Sequence, residues 1–211
     1  RLNTQADTIR HYRMEGDSTL KFDGYYAAEQ LTVKRVLAAK DNATEAEQAQ
    51  RQESYEYTNA QGQVIAKEVR VSETDRRMTY YVYDDLGQQR YVLPPAQHET
   101  LTDGTTYTPS QLHKLSYYTE YDDKGQAVRQ WNPGTDCVYS LYDRRGRLVM
   151  TQSGKQRTAN EWSFTKYDRM DRPVLSGIVT GGTYESHKAA LDAATVLYEV
   201  RGTTVHGYTN Q

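Results

Sequence analysis

A short pattern that returns along the chain constrains its fold more than any other feature. It reads Tyr83-Asp84-Asp85-Leu86-Gly87, Tyr121-Asp122-Asp123-Lys124-Gly125, Tyr142-Asp143-Arg144-Arg145-Gly146 and Tyr167-Asp168-Arg169-Met170-Asp171. An aromatic lies three residues before each of these tyrosines: Tyr80, Tyr118, Tyr139 and Phe164. A degenerate earlier copy runs from Tyr57 through Asn59 to Gly62, with Asn in place of Asp and one extra residue before it. A fixed spacing repeated in this way is the signature of a stacked array of small supersecondary units.

The residue types state what each unit is. Asp or Asn at the first position of a type I turn hydrogen-bonds to its own following backbone, and Gly at the fourth position takes the left-handed conformation that closes a hairpin with a bulge. Asp171 stands where the other copies have Gly, a conformation that Asp visits more readily than most residues. The residues after each turn are strand-like: Val64-Ile65, Tyr91-Val92-Leu93, Val128, Leu148-Val149-Met150 and Val174-Leu175. Each copy therefore reads as strand, tight turn, strand.

Between the first turn residues 59, 84, 122, 143 and 168 the intervals are 25, 38, 21 and 25 residues, so the second contains an insertion. A helix is predicted within it, about Pro109 to Leu115, with Thr108 as cap and Pro109 at the first helical position. Two more helices are predicted, Thr44 to Gln52 and Tyr184 to Ala194 with Thr183 as cap. An Asp23-Gly24 turn signal precedes Tyr25-Tyr26, and the tail from Val196 to Tyr208 reads as a final strand pair. The expected architecture is a mainly β, curved or spiral array of antiparallel hairpins with short helical insertions. One elongated domain over 1–211 is expected, an excerpt of a larger protein, with clear repeats at about 55–177 and less regular flanks at 1–54 and 178–211.

Composition decides between this reading and disorder. Hydrophobic residues make up 36% and the mean hydropathy is −0.91, values a disordered chain shares. Yet the aromatic residues are 19 Tyr, 2 Phe and 2 Trp, and Tyr favours the half-buried face of a sheet, where its ring packs and its hydroxyl finds a partner. Charge is balanced, 26 Lys and Arg against 28 Asp and Glu, which gives no electrostatic reason to expect nucleic acid. The single cysteine, Cys137, makes no intramolecular disulfide, and no apolar run approaches the roughly 20 residues that span a bilayer.

The repeats resemble the YD repeats of the RHS (rearrangement hotspot) family, residues 80–87 and 91–95 looking like the versions found in large bacterial surface proteins, and the resemblance covers about 55–177. It implies a long spiral β-sheet forming part of a hollow shell, in an exported or cell-surface bacterial protein, around a toxic C-terminal domain. The partners it implies are the neighbouring repeats and such a toxin. Shells of that family often end in a self-cleaving Asp-Pro-x-Gly motif, whereas none of prolines 94, 95, 109, 133 and 173 follows Asp here. The self-cleavage is therefore not carried over.

No enzymatic chemistry is expected: Cys137 and the histidines at 11, 98, 113, 187 and 206 fall in no catalytic pattern. No cofactor or metal is expected either, since Asp84-Asp85 and Asp122-Asp123 are turn residues without the longer ligand ladder of a calcium loop. The competing reading is carbohydrate binding or adhesion, with Trp131 and Trp162 as stacking faces for sugar rings. Self-association through strand edges is a third expectation.

Overall fold

The computed structural model describes residues 9–37, 53–72, 75–203 and 207–209. Its strands are β1 (Arg10–Glu15), β2 (Thr19–Tyr25), β3 (Thr32–Leu37), β4 (Glu53–Thr58), β5 (Val64–Arg70), β6 (Arg76–Tyr83), β7 (Gln89–Leu93), β8 (Thr106–Tyr107), β9 (Tyr117–Tyr121), β10 (Ala127–Trp131), β11 (Val138–Tyr142), β12 (Leu148–Gln152), β13 (Glu161–Tyr167) and β14 (Pro173–Thr180). Eleven of them form one antiparallel sheet in the order β14-β13-β12-β11-β10-β9-β7-β6-β5-β4-β3, and β1-β2-β8 form a second. The chain is thus mainly antiparallel β with short helices. It groups into two compact units, Arg1–Tyr118 with Asn132–Gly134, and Thr119–Trp131 with Thr135–Gln211.

In the first unit the small sheet is a hairpin, β1-β2, to which the insertion contributes β8 through Leu20↔Tyr107 and Lys21↔Thr106. The long interval between repeats is therefore a detour that leaves the large sheet after β7, adds a strand to the small one and returns as β9. Leu20, Phe22, Leu31, Tyr80, Tyr91 and Leu93 are all fully buried or nearly so. Tyr91 stacks on Tyr118 at 4.5 Å between ring centroids, and its hydroxyl donates to the Ser18 carbonyl at 2.6 Å.

In the second unit Leu141 and Trp162 are buried. Phe164 lies opposite Gly177, where a Cβ would stand 3.1 Å from the ring, so the glycine makes room for the phenyl group.

Some sequence expectations change. The turn signal Asp23-Gly24 lies inside β2, where the pairing slips between Arg10↔Tyr25 and Tyr12↔Phe22 and Gly24 has φ +85°: it is a bulge. The hairpin turn itself falls around Gly16, three residues before β2 begins. The helix expected from Pro109 to Leu115 is Pro109–Leu112, capped by Thr108 and Gln111 acting reciprocally. Beyond it the chain runs on as a turn, in which the Leu115 and Ser116 amides and the Ser116 hydroxyl all donate to the Leu112 carbonyl. The helix Tyr184–Ala193 with Thr183 as cap matches to one residue. Of the strand pair expected in the tail, residues 204–206 lie outside the described residues, and the described ones carry the isolated bridge Arg201↔Tyr208. The helix expected over Thr44–Gln52 lies outside the described residues.

Candidate functional site

Five turns share one geometry. The amides of Asn59, Asp84, Asp122, Asp143 and Asp168 donate to the carbonyl four residues on, at 2.9–3.0 Å. The side-chain Oδ1 of the same residue accepts from the amide two residues on, at 2.8–3.1 Å. It also accepts from the amide four residues on, at 2.8–3.0 Å. Gly62, Gly87, Gly125, Gly146 and Asp171 close the turns at φ between +62° and +82°. One carboxylate or amide oxygen thus accepts from two backbone donors of its own turn.

The degenerate copy turns out to be regular. Its pairing slips between Tyr57 and Thr58, as the others slip between Val82 and Tyr83, Leu141 and Tyr142 and Lys166 and Tyr167. Thr58 therefore occupies the tyrosine position, Tyr55 is the aromatic three before it, and there is no extra residue.

The tyrosines join one hairpin to the next. In the first unit the Tyr83 hydroxyl donates to the Val64 carbonyl at 3.1 Å. In the second, Tyr142 donates to Ala127 at 3.1 Å and Tyr167 to Leu148 at 2.7 Å. Each acceptor is the first residue of the preceding hairpin's second strand. Beside it, the residue after the turn glycine reaches the next turn: Gln126 Nε2 donates to the Gly146 carbonyl at 3.1 Å, and Arg147 Nη1 donates to Asp171 Oδ1 at 2.8 Å. Asp171 also pairs with Arg145 at 2.8 Å. The carboxylate that replaces glycine here is held by two arginines of the preceding hairpin.

Asp143 is buried and chelated by Arg147 at 2.6 Å, and Arg147 also reaches the Leu197 carbonyl. Asp168 sits lower in pKa than an ordinary carboxylate because Arg172 donates to it. The second aspartates, Asp85 and Asp123, are exposed.

Trp131 ends β10 half-buried, and the loop after it is tied down where the Gly134 amide, at φ +69°, donates to the His113 carbonyl at 3.1 Å. Trp162 corrects the stacking expectation. Its indole has 0% exposure, its Nε1–H points to the Gly182 carbonyl at 3.4 Å and His187 covers it edge-on at 5.1 Å. No face is left for a sugar ring.

Two groups carry no sequence signal. Glu68 is buried, accepting from Tyr57 at 2.7 Å and Arg70 at 2.6 Å, and burial together with that carboxylate holds the Tyr57 hydroxyl far above its usual pKa. His98 is buried with neither ring nitrogen hydrogen-bonded to a described residue. Burial first, and the Arg10 charge second, push it down to about 4. Arg10 holds the carbonyls of His98 and Leu101. Burial likewise lifts the Cys137 thiol to about 11, so it is not a thiolate at neutral pH.

Each unit carries a concavity. In the first, an open cleft of about 1190 Å³ is bordered by Tyr25, Tyr26, Tyr81, Tyr83, Gln61 and Asp85 among others. In the second, a mainly apolar cavity of about 480 Å³ lies between Val149, Phe164 and Val179 on the sheet and Leu191 and Leu197 beyond it. Among the described residues no three His, Cys, Asp or Glu side chains gather as a metal-holding group.

No family model matches the chain, and no curated protein matches it. Among solved structures it is similar to the crystal structure of TcdB2-TccC3, at 15% identity and a TM-score of 0.49, over 83% of this chain and 8% of that one. The crystal structure of TcdB2-TccC3-TEV gives 15% identity and a TM-score of 0.48 over 82% of this chain and 8% of that chain. That of TcdB2-TccC3-Cdc42 gives 17% and 0.46 over 63% and 6%. The chain spans less than a tenth of the length of these chains.

Proposed function

We propose that this chain is a structural scaffold, a segment of the wall of a larger RHS-like protein that encloses or delivers a C-terminal toxin. It performs no reaction, and its place is exported or at the cell surface. The observation that carries this reading is the repeated inter-hairpin bond: Tyr83 to Val64, Tyr142 to Ala127 and Tyr167 to Leu148. The repeated tyrosines and turn aspartates are spent on backbone carbonyls and amides, which is the work of a wall and leaves the motif no substrate to hold. The family resemblance of the repeats supplies the cargo and the location.

Limited proteolysis of the full-length protein, with mass spectrometry of the surviving pieces and a toxicity assay, tests it. The reading expects a protected, separable, toxic C-terminal fragment. Ready digestion with no toxic piece overturns it.

A second reading, carbohydrate binding, rests on the open tyrosine- and amide-bordered cleft of the first unit, since aromatic faces with planar polar groups suit sugar rings. It expects Tyr25→Ala to remove a sugar affinity that Trp162→Ala affects only through folding.

A further inference from the structure

Among the described residues the last hairpin, β13-β14, ends the large sheet. Strand β14 is exposed over most of its length, with Ile178 62% accessible. What fits against it is written in the contacts between the hairpins that precede it.

Three marks recur at those contacts. The first is register. The residue seven after the turn Asp or Asn pairs with the aromatic of the next hairpin: Ala66↔Tyr80, Tyr91↔Tyr118, Arg129↔Tyr139 and Met150↔Phe164. The second is the hydroxyl bond from the next tyrosine to the carbonyl five after the turn residue, at Val64, Ala127 and Leu148. The third is the side chain four after the turn residue, which meets the next hairpin's turn-closing residue. Gln126 does so at Gly146, Arg147 at Asp171, and Gln63 lies 3.4 Å from where a Gly87 Cβ would stand.

Counted from Asp168, the same three positions are Leu175, Pro173 and Arg172. All three are on or beside β14. The Arg172 side chain, paired with Asp168, is 70% accessible. Proline as the first residue of a strand lacks an N–H but keeps the carbonyl that the second mark requires.

We infer that β14 is a docking edge for one further Tyr-Asp-x-x-Gly/Asp hairpin, supplied by a longer polypeptide to which this chain belongs. Its aromatic lies opposite Leu175, its tyrosine hydroxyl binds the Pro173 carbonyl, and its turn-closing residue lies beside Arg172. This rests on the scaffold reading and adds to it the identity and register of the next element. Because Arg172 is a cation, the edge prefers Asp over Gly at the turn-closing position, as Arg147 already receives Asp171.

The probe is a synthetic hairpin of residues 138–152, closed by a terminal disulfide so that it is folded before mixing. It is titrated into the full chain while hydrogen exchange is followed along β14. Protection is expected to appear in β14 and to be absent from β3. Tyr142→Phe in the hairpin weakens binding roughly fivefold, the loss of one hydrogen bond. Gly146→Asp in the hairpin tightens binding several-fold, and that gain vanishes with Arg172→Gln in the chain. A folded hairpin that protects no β14 amide overturns the inference. So does equal binding by all three hairpins, which marks a merely sticky edge. Tyr142→Phe placed in the chain itself separates the two levels. If it lowers stability while β14 refuses the hairpin, the inference falls and the scaffold reading stands. If it leaves stability unchanged, the scaffold reading itself has lost its support.

Discussion

At the scale of single residues, the turn-closing position is the most demanding. Gly146 has φ +82°, and a Cβ there would stand 3.1 Å from Gln126 Nε2. Gly146→Val is expected to cost about 2–3 kcal/mol, read as a shift of the denaturant midpoint, because a β-branched residue is strained in this region. Gly146→Asp costs less, since Asp171 holds the same conformation at φ +62°. His98 sets a pH dependence whose sign follows from its lowered pKa, about 4 when folded against about 6.5 in an unfolded chain. Below about 6.5 the unfolded state takes up the proton first, so this contribution is complete above that pH and is lost as pH falls towards 4. Its size is about 2 kcal/mol after allowing for relaxation around the ring. Unfolding midpoints measured between pH 7 and 4 are expected to fall less steeply for His98→Leu than for the natural chain.

At the scale of elements, the hairpin is the unit of construction and the tyrosine hydroxyl joins one unit to the next. Tyr142→Phe and Tyr167→Phe are each expected to cost about 1 kcal/mol in chemical denaturation. Glu68→Ala is expected to cost about 3 kcal/mol or more, because it strands the buried Tyr57 hydroxyl and removes the partner of Arg70. The hairpins were legible in the sequence because their information is local: Asp, its two backbone partners and Gly lie within five residues. Thr58 hid in the degenerate copy because threonine has no phenol to mark the position. The bulge at Gly24 carried the same residues as a turn, and only the pairing of Tyr25 with Arg10 beyond it distinguishes the two. The detour that puts β8 beside β2, the burial of His98 under Arg10 and the covering of Trp162 by His187 all depend on partners tens of residues away, beyond the reach of spacing; Glu68 takes its hydrogen bonds from Tyr57 and Arg70 across and along a strand pair that leaves no motif.

At the scale of the whole molecule, the large sheet runs from β14 to β3 and leaves strand edges without a partner strand among the described residues. Exposed edges template pairing between chains. The isolated chain is expected to associate with rising concentration in analytical ultracentrifugation, and Ile178→Lys on β14 to weaken that association. A strictly monomeric chain at high concentration counts against the edges as sites of assembly. The central claim is that these hairpins are wall, and electron cryomicroscopy of the full-length protein tests it most directly. The account predicts a map in which the hairpins continue in one sheet past β14 around enclosed density outside that sheet. An open array, with β14 facing solvent and nothing enclosed, would contradict it.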